Sequence, residues 1–515
     1  MPTATTIPDG GFPIVLTADR SLMADYPTLF EAMAAVSQTT LFPEPIVRTL
    51  LMRTPAGQTG NGRDPRGRVA PLGLRRIEGA LLEGGFTARE VAIVDPSRLH
   101  RAIGPSTRLV AVSTGDPMGL GMSSTTMTAL LGGSIYPSHL FGSLMRTVRR
   151  LKTRYGTFRV LAGGPGAWQL ALHDAQCRRL GVDQTVTGFC EGNIVEIVRS
   201  AIDADSQPAT GNVIKGHRVD MHDIPRLHGA TLAGALEISR GCGLGCGFCS
   251  LANEPMRHLP PEAICADAQT IVRFGQPNLA LLSEDILRYG ARGIDPSPST
   301  LIDLLERLRR IDGVRLIQTD HASIRSVASY SDYELRGVRD PMVGDTGCRR
   351  PWINVGVETV SEPLLRRSCA PAKVRFDGGR PWSDTCTEQI DRLIAAGFFP
   401  LVSLVVDLPG ETEDDIRQTT DWVRTIAHRP LAVFPLRMAP LDRSSGFCPR
   451  SLTDVHWELF QTAYDINFRE APRMAYDNQA AAGVGPWRRR LIRGLAVGNI
   501  VLWKSIFALR RGSTP

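Results

Sequence analysis

The chain has 515 residues, 43% hydrophobic and 22% charged, with 50 glycines, 36 prolines, ten cysteines and a formal charge of +7. Its length predicts two or three domains, and its composition excludes a disordered, fibrous or collagen-like chain. The positive excess is arginine spread along the sequence and densest near the C-terminus. It reads as a solvated basic surface, with no nucleic-acid partner expected. No basic leader with an apolar stretch and cleavage site is recognised, so the cysteines point to a reducing cytoplasm rather than a disulfide framework.

Residues 1–205 alternate between strand and helix patterns. FPIVLTAD (12–19) is an apolar run that ends in polar residues, PLGLRRIEGALLEGGF (71–86) has helical spacing, and VAIVD (91–95) is strand-like. LVAVSTGDP (109–117) and FRVLAGGPGA (158–167) read as strands running into turns, and 138–156 and 191–202 read as helices. Such alternation predicts a parallel sheet covered on both faces, with ligands beyond the carboxyl ends of the strands. There lie STGDPMGLG (113–121) and AGGPGA (162–167). Residues 53–68, rich in Gly, Arg and Pro without the Gly-Lys-Ser/Thr ending of a phosphate loop, read as a surface insertion, and 206–231 has linker composition.

A second series runs from 232 to 440: GALEIS, LALLSED, RLIQTD, WINVGVET, PLVSLVVDLPGE and LAVFPLRM, with helices between. Six strands so arranged predict an open or closed α/β barrel with its chemistry at the carboxyl ends. No run of about 18 unbroken apolar residues is found. The nearest, 393–410, is interrupted by Pro400 and Asp407 and reads as a helix end followed by a buried strand. Residues 441–515 form a helical region, and its basic segment 486–512 suggests either an interfacial helix on anionic lipid or an ordinary amphipathic helix packed on the barrel.

The densest chemistry is RGCGLGCGFCSLA (240–252), where Cys242, Cys246 and Cys249 are interleaved with Gly241, Gly243, Gly245 and Gly247. Thiolates select zinc, copper(I) or iron-sulfur clusters. A structural zinc site wants a fourth ligand, commonly in a second cysteine pair, whereas Cys265, Cys348, Cys369, Cys386 and Cys448 are isolated. Three thiolates on a 4Fe-4S cube leave one iron open, and glycines let backbone N–H groups approach the sulfurs.

This spacing, with Phe248 before the last cysteine, resembles the signature of radical S-adenosylmethionine (SAM) enzymes. The resemblance implies that the open iron chelates SAM and that Phe248 lies near the adenine. Ser283, Glu284 and Asp285 stand where the family often has a Gly-Gly-Glu type motif for the methionine amino group, which implies SAM contacts from Ser283 and Glu284. NVGVETVSE (354–362) resembles a GxExxS strand end, with Glu358 as a polar contact. VDLPGET (406–412) resembles a GLPGET turn with Asp407 in place of glycine, and it reads equally as a turn capping the next helix.

The front segments 70–97 and 180–198 resemble the cobalamin-binding domain that precedes the barrel in one subgroup. Ser113, Thr114, Gly163 and Gly164 would then face the corrin, although the Asp-x-His-x-x-Gly motif is absent from 1–205. The expectation is an α/β protein: an N-terminal Rossmann-like domain of cobalamin-binding type (1–205), a partial (β/α)6 radical SAM barrel (232–440) and a helical C-terminal tail. Its implied cofactors are a 4Fe-4S cluster, SAM and cobalamin. Its implied partners are a small-molecule or lipid substrate and an external electron donor such as flavodoxin or ferredoxin. The implied reaction is cobalamin-dependent methylation of an unactivated carbon in the cytoplasm, with ring formation or carbon-carbon coupling in a lipid or natural product as the rival. No catalytic acid-base pair is legible.

Overall fold

The structure, a computed structural model, describes residues 7–54, 64–156, 158–203, 212–249, 251–366, 374, 379–439 and 451–511. Most of the insertion read at 53–68, together with Cys369, Cys448 and the last residues of the tail, lies outside them.

The front sheet has six parallel strands: β1 (Ile14–Ala18), β2 (Val91–Ile93), β3 (Leu109–Ser113), β4 (Arg159–Gly163), β5 (Gln184–Thr187) and β6 (Asn212–Lys215), in the spatial order 2-1-3-4-5-6. Helices α1 (Leu29–Val36), α2 (Leu72–Glu83), α3 (Met122–Leu131), α4 (Tyr136–Tyr155) and α5 (Ile194–Asp203) accompany it. Pleating sorts the strand side chains. Val15, Val110, Val112 and Val160 pack with Phe141, Leu144 and Val148 of α4, while Ile14, Leu16, Leu109 and Leu161 pack with Leu74 and Leu81 of α2 and Ile197 of α5. The stretch read as a linker contains β6, and Ala230–Thr231 pairs in parallel with Val69–Ala70. NVIK is too short to declare a strand by its own periodicity, and it joins the sheet by pairing with β5.

The barrel strands are β7 (Ala235–Glu237), β8 (Asn278–Leu282), β9 (Leu316–Thr319), β10 (His321–Ser323), β11 (Trp352–Glu358), β12 (Phe399–Val406) and β13 (Ala432–Arg437). They form two parallel sheets, 9-8-7 and 10-11-12-13. β9 and β10 are one stretch of chain broken at Asp320, so this strand pairs with β8 by its first half and with β11 by its second. Helices α6 (Pro261–Arg273), α7 (Pro298–Arg309), α8 (Asp332–Val343), α9 (Trp382–Ala395) and α10 (Glu413–Ile426) alternate with the strands, and α11 (Asp454–Ala481) and α12 (Pro486–Arg511) follow.

The front part and the barrel share a core: Met127, Leu130 and Ile135 belong to the same buried cluster as the barrel strands. Arg75 and Arg76 in the PLGLRR segment are buried, and Arg76 donates to Asp267 of α6 and to the Pro225 carbonyl, each at 2.7 Å. The segment read as a marker of the front domain therefore also rivets it to the barrel. One correction concerns the tail. The sequence shows no unbroken apolar run of membrane length, yet 486–509 forms a helix long and apolar enough to cross a membrane by length and composition. Arg493 and Lys504 interrupt the run and hide it from a search for continuity.

Candidate active site

The cysteine loop leaves the carboxyl end of β7 through a two-residue ribbon, Ser239–Arg240, paired antiparallel with Arg257–His258. The Cys242 N–H donates to the Glu254 carbonyl at 2.8 Å, Gly245 to Ala252 at 3.0 Å and Cys249 to Cys246 at 3.0 Å. Leu244 and Ala252 are buried in the barrel core and anchor the loop. Gly241 has φ +82°, and a Cβ there would lie 2.5 Å from the Pro255 carbonyl oxygen, so no other residue fits. Gly243 and Gly245 also have positive φ, whereas Gly247 is not among the positive-φ glycines. Cys246 is buried, and Cys242, Cys249 and Phe248 are half-buried against the core.

Among the described residues no three His, Cys, Asp or Glu side chains converge as a single metal ion requires. A cube makes a different demand, because each thiolate takes a different iron. Three soft donors on a tightly turned, glycine-lined loop suit that group by the chemistry of the donor set.

Arg288, which sequence reasoning missed, is 2% exposed. Its Nη1 donates to the Cys242 carbonyl at 2.8 Å and lies 3.9 Å from the Cys242 sulfur, while Nη2 donates to Gly293 O at 2.9 Å. The signal available in the sequence was an arginine set among the apolar residues of DILRYG, directly after SED. Arg240, also missed, holds Glu237 and Glu191, each at 2.7 Å, and its guanidinium lies 4.0 Å from the Phe189 ring centroid. Glu191 belongs to the front part, so the base of the cysteine loop is a junction between the two halves.

At the end of β8 the Ser283 hydroxyl lies 2.6 Å from that of Ser239, tying SED to the ribbon under the cysteines. Asp285 is fully buried and accepts from Ser326 Oγ at 2.6 Å, a structural role. Glu284 is exposed as a residue, yet partial withdrawal from water raises its carboxyl above the ordinary range; nearby His321 acts against the rise and Asp320 with it. His321 Nδ1 contacts the Glu284 carbonyl at 2.9 Å, and burial also raises Asp320.

Glu358 ends β11 and Asp407 follows β12, and both have φ +64°. A non-glycine residue held there costs about 1 kcal/mol or more and recurs at functional sites. The register against β12 slips between Gly356 and Glu358, a bulge that re-aims the buried glutamate. The Asp407 side chain is buried and pairs with Arg437 Nε at 2.6 Å, the residue's N–H donates to Glu411 at 2.6 Å, and His456 Nε2 stands 3.7 Å away. The Arg437 N–H in turn donates to Thr126 of α3 at 2.8 Å, so this cluster too touches the front part. Thr412 caps α10 in a capping box with Asp415, as the capped-turn reading of VDLPGET anticipates.

In the front sheet the order 2-1-3-4-5-6 puts the topological switch point between β1 and β3. The loop 113–121 lies there, 162–167 lies one strand away, and the loop after β1 was overlooked. Ser113 and Thr114 are buried and Gly164 is exposed. The two loops are joined: the Thr114 N–H donates to Gly163 at 2.8 Å, and a Cβ on Gly164 would lie 2.7 Å from Ser113 Oγ. Asp116 holds this edge by accepting from Leu120 N–H at 2.9 Å, Gln169 Nε2 at 2.6 Å and the Ser124 hydroxyl.

A barrel of parallel strands with a three-cysteine loop at the carboxyl end of its first strand defines an α/β barrel domain whose thiols gather at one edge. Residues 236–423 match the profile of the radical SAM superfamily. The chain is 30% identical over 268 residues to the ribosomal protein uS12 methylthiotransferase RimO of Trichlorobacter lovleyi, covering 48% of this chain and 53% of that one. It is 23% identical over 256 residues to the tRNA-2-methylthio-N(6)-dimethylallyladenosine synthase of Opitutus terrae, covering 44% and 48%. The chain thus spans about half the length of the curated relatives it matches. Among solved structures, the radical SAM methyltransferase TsrM of Kitasatospora setae, with cobalamin and a [4Fe-4S] cluster bound, aligns with TM-score 0.49 and 14% identity over 82% of this chain and 75% of that one.

Proposed function

We propose that this chain is an enzyme whose Cys242, Cys246 and Cys249 hold a 4Fe-4S cluster for the reductive cleavage of SAM. The glycine-turned cysteine loop at the carboxyl edge of the barrel carries the reading. The bound cluster supplies one electron, and SAM cleavage yields methionine and a 5'-deoxyadenosyl radical that abstracts hydrogen from carbon. The protein's part is to hold and enclose. Arg288 fixes the Cys242 backbone and sets a positive charge beside its sulfur. Ser283 and Glu284, at the strand end tied to the loop, are the groups for the methionine end of SAM, and Phe248 is the apolar wall beside the cysteines. Glu358, buried and re-aimed by its bulge, is a further polar contact.

The same proposal assigns cobalamin to the carboxyl edge of the front sheet and methyl transfer to an unactivated carbon as the outcome. Its support is the resemblance of 70–97 and 180–198, together with a switch point whose loops offer backbone and hydroxyl groups, Gly164 being open to solvent. Anaerobic reconstitution with iron, sulfide and hydroxocobalamin, followed by metal counts and a 5'-deoxyadenosine assay, tests both halves. One cobalt with four irons and SAM-dependent 5'-deoxyadenosine is the result expected. Iron with 5'-deoxyadenosine but no cobalt removes methyl transfer, and no 5'-deoxyadenosine removes the whole reading.

A further inference from the structure

The last helix, α12, contains seven basic residues and no acidic one: Arg488, Arg489, Arg490, Arg493, Lys504, Arg510 and Arg511. One side is fastened to the protein along its length. Arg488 pairs with Glu31 of α1 at 2.8 Å, and Asn499 donates to Gln38 at 3.4 Å. Near the far end Trp503 stacks on Tyr464 of α11 at 4.5 Å, and Phe507 meets Trp457 edge-on at 6.1 Å.

The other side is bare. Trp487 is 81% exposed, Leu491 50%, Val501 60%, Leu502 38% and Leu509 72%. At 3.6 residues per turn these five fall in one stripe about 100° wide that runs across Gly494, Gly498 and Ser505, with Val497, 50% exposed, and the exposed Arg490, Arg493 and Lys504 along one flank. An exposed apolar stripe of this kind marks a surface that meets another phase or molecule, and its positive flank, with Arg493 and Lys504 also over the Tyr476 and Phe468 rings of α11 and no acidic residue on the helix, selects an anionic one. Tryptophan at the helix start suits the water-hydrocarbon boundary.

The fastened side decides how such a helix could meet lipid. To cross a bilayer it would have to break the Arg488–Glu31 pair at one end and the Trp503 and Phe507 packing at the other. Lying flat it keeps them all and buries only what is now bare. We propose that α12 is a surface anchor, docked on the body of the protein and laid in the plane of an anionic lipid bilayer. This anchor is independent of the chemistry proposed for the barrel.

The test is flotation of the full-length, cluster-reconstituted protein with vesicles of phosphatidylcholine alone and of phosphatidylcholine mixed with phosphatidylglycerol. The protein should float with the anionic vesicles only and release with added salt. Replacing Arg490, Arg493 or Lys504 by Ser should lower the partition coefficient about fivefold each. The pair Leu491→Glu and Val501→Glu should abolish flotation without changing the melting temperature or cluster absorbance. Flotation that is absent, or indifferent to lipid charge or to these substitutions, overturns the proposal. So does a protein that fails to float but sediments as a dimer converted to monomer by the Leu491→Glu, Val501→Glu pair, since a second copy would then cover the stripe.

Discussion

The front sheet and the barrel present the carboxyl edges of their strands in different ways. The barrel edge gathers reactive and charged side chains: the cysteine loop, a buried arginine beside one cysteine, and two acidic residues at φ +64°. The front edge is built of short polar groups, with Asp116 and Gln169 as a knot and Thr114 wholly buried, its hydroxyl without a hydrogen-bond partner among the described residues. Even acidic groups at comparable positions behave differently. Asp19, just after β1, is pushed by burial up to about 6, but Ser21 meets it through both N–H and hydroxyl. Asp407, just after β12, is matched by an arginine from the next strand and reaches toward a histidine of α11. The difference teaches where side chains do the recognition and where the backbone does.

If the comparison is right, damage to the barrel edge should remove chemistry and damage to the front edge should remove only a ligand. The largest effect belongs to Cys242→Ala, which deletes one of the three thiolates proposed to hold the cluster. Iron content should fall to background and 5'-deoxyadenosine formation with it, as a metal count and product assay would show. Next comes Arg437→Ala, which leaves Asp407 buried without its partner; the expected cost is about 3–5 kcal/mol in denaturant unfolding. A loss below about 1 kcal/mol would mean that Asp407 is wetter than its burial suggests.

Asp116→Ala is the corresponding break at the front edge. It frees the Leu120 N–H and the Ser124 and Gln169 side chains, at a cost of about 2 kcal/mol, and should loosen the loop 113–121. Cobalt retention after reconstitution should drop while iron and 5'-deoxyadenosine persist. Equal loss of both metals would erase the division of labour. Arg288→Met should then lower the reduction potential of the reconstituted cluster, since it removes a positive charge near the Cys242 sulfur. A tenfold shift in the one-electron equilibrium is about 59 mV, readable by EPR-monitored titration, and an unchanged potential would reduce Arg288 to a backbone clamp.

What the sequence made legible follows the same division. Cys242, Cys246 and Cys249 stood out because rare residues were dense and glycines marked the turns. The six barrel strands stood out because both faces are buried and their apolar runs are unbroken, as in PLVSLVV. Arg288 and Arg240 did not stand out, because an arginine reads as surface until the fold buries it among carbonyls and carboxylates. The left-handed Glu358 and Asp407 were invisible for a related reason: φ is set by neighbouring strands and bulges, not by residue type. β6 escaped because four residues carry too little period; α12 was read as a helix, and only its membrane-length apolar stretch escaped, because two cations break the run.

The smallest effect tests how the barrel edge stores charge. Burial pushes the Glu411 carboxyl up to about 8, with Asp407 and Asp415 adding to the rise, although the Asp407 N–H bonded to it at 2.6 Å pulls the other way. In the window from about 4.5 to about 8, folded Glu411 keeps a proton that the unfolded chain has released. The unfolded state then binds fewer protons, so stability falls as pH rises through that window and is flat above it. One proton gives at most about 1.4 kcal/mol per pH unit, and water on the partly exposed side trims this to roughly 0.5–1 kcal/mol. Glu31, pushed by burial up to about 7, and Asp19, at about 6, slope the same way but stop earlier, so of these three only Glu411 still titrates between about 7 and 8. Glu411→Gln keeps an oxygen for the Asp407 N–H and cannot titrate. Urea unfolding across this range should therefore show a falling curve for the parent and a flatter one for the variant, with the gap persisting above about pH 7. Superimposable curves would place Glu411 in water and leave the front edge's Asp19, not the barrel's, as the more strongly withdrawn carboxyl.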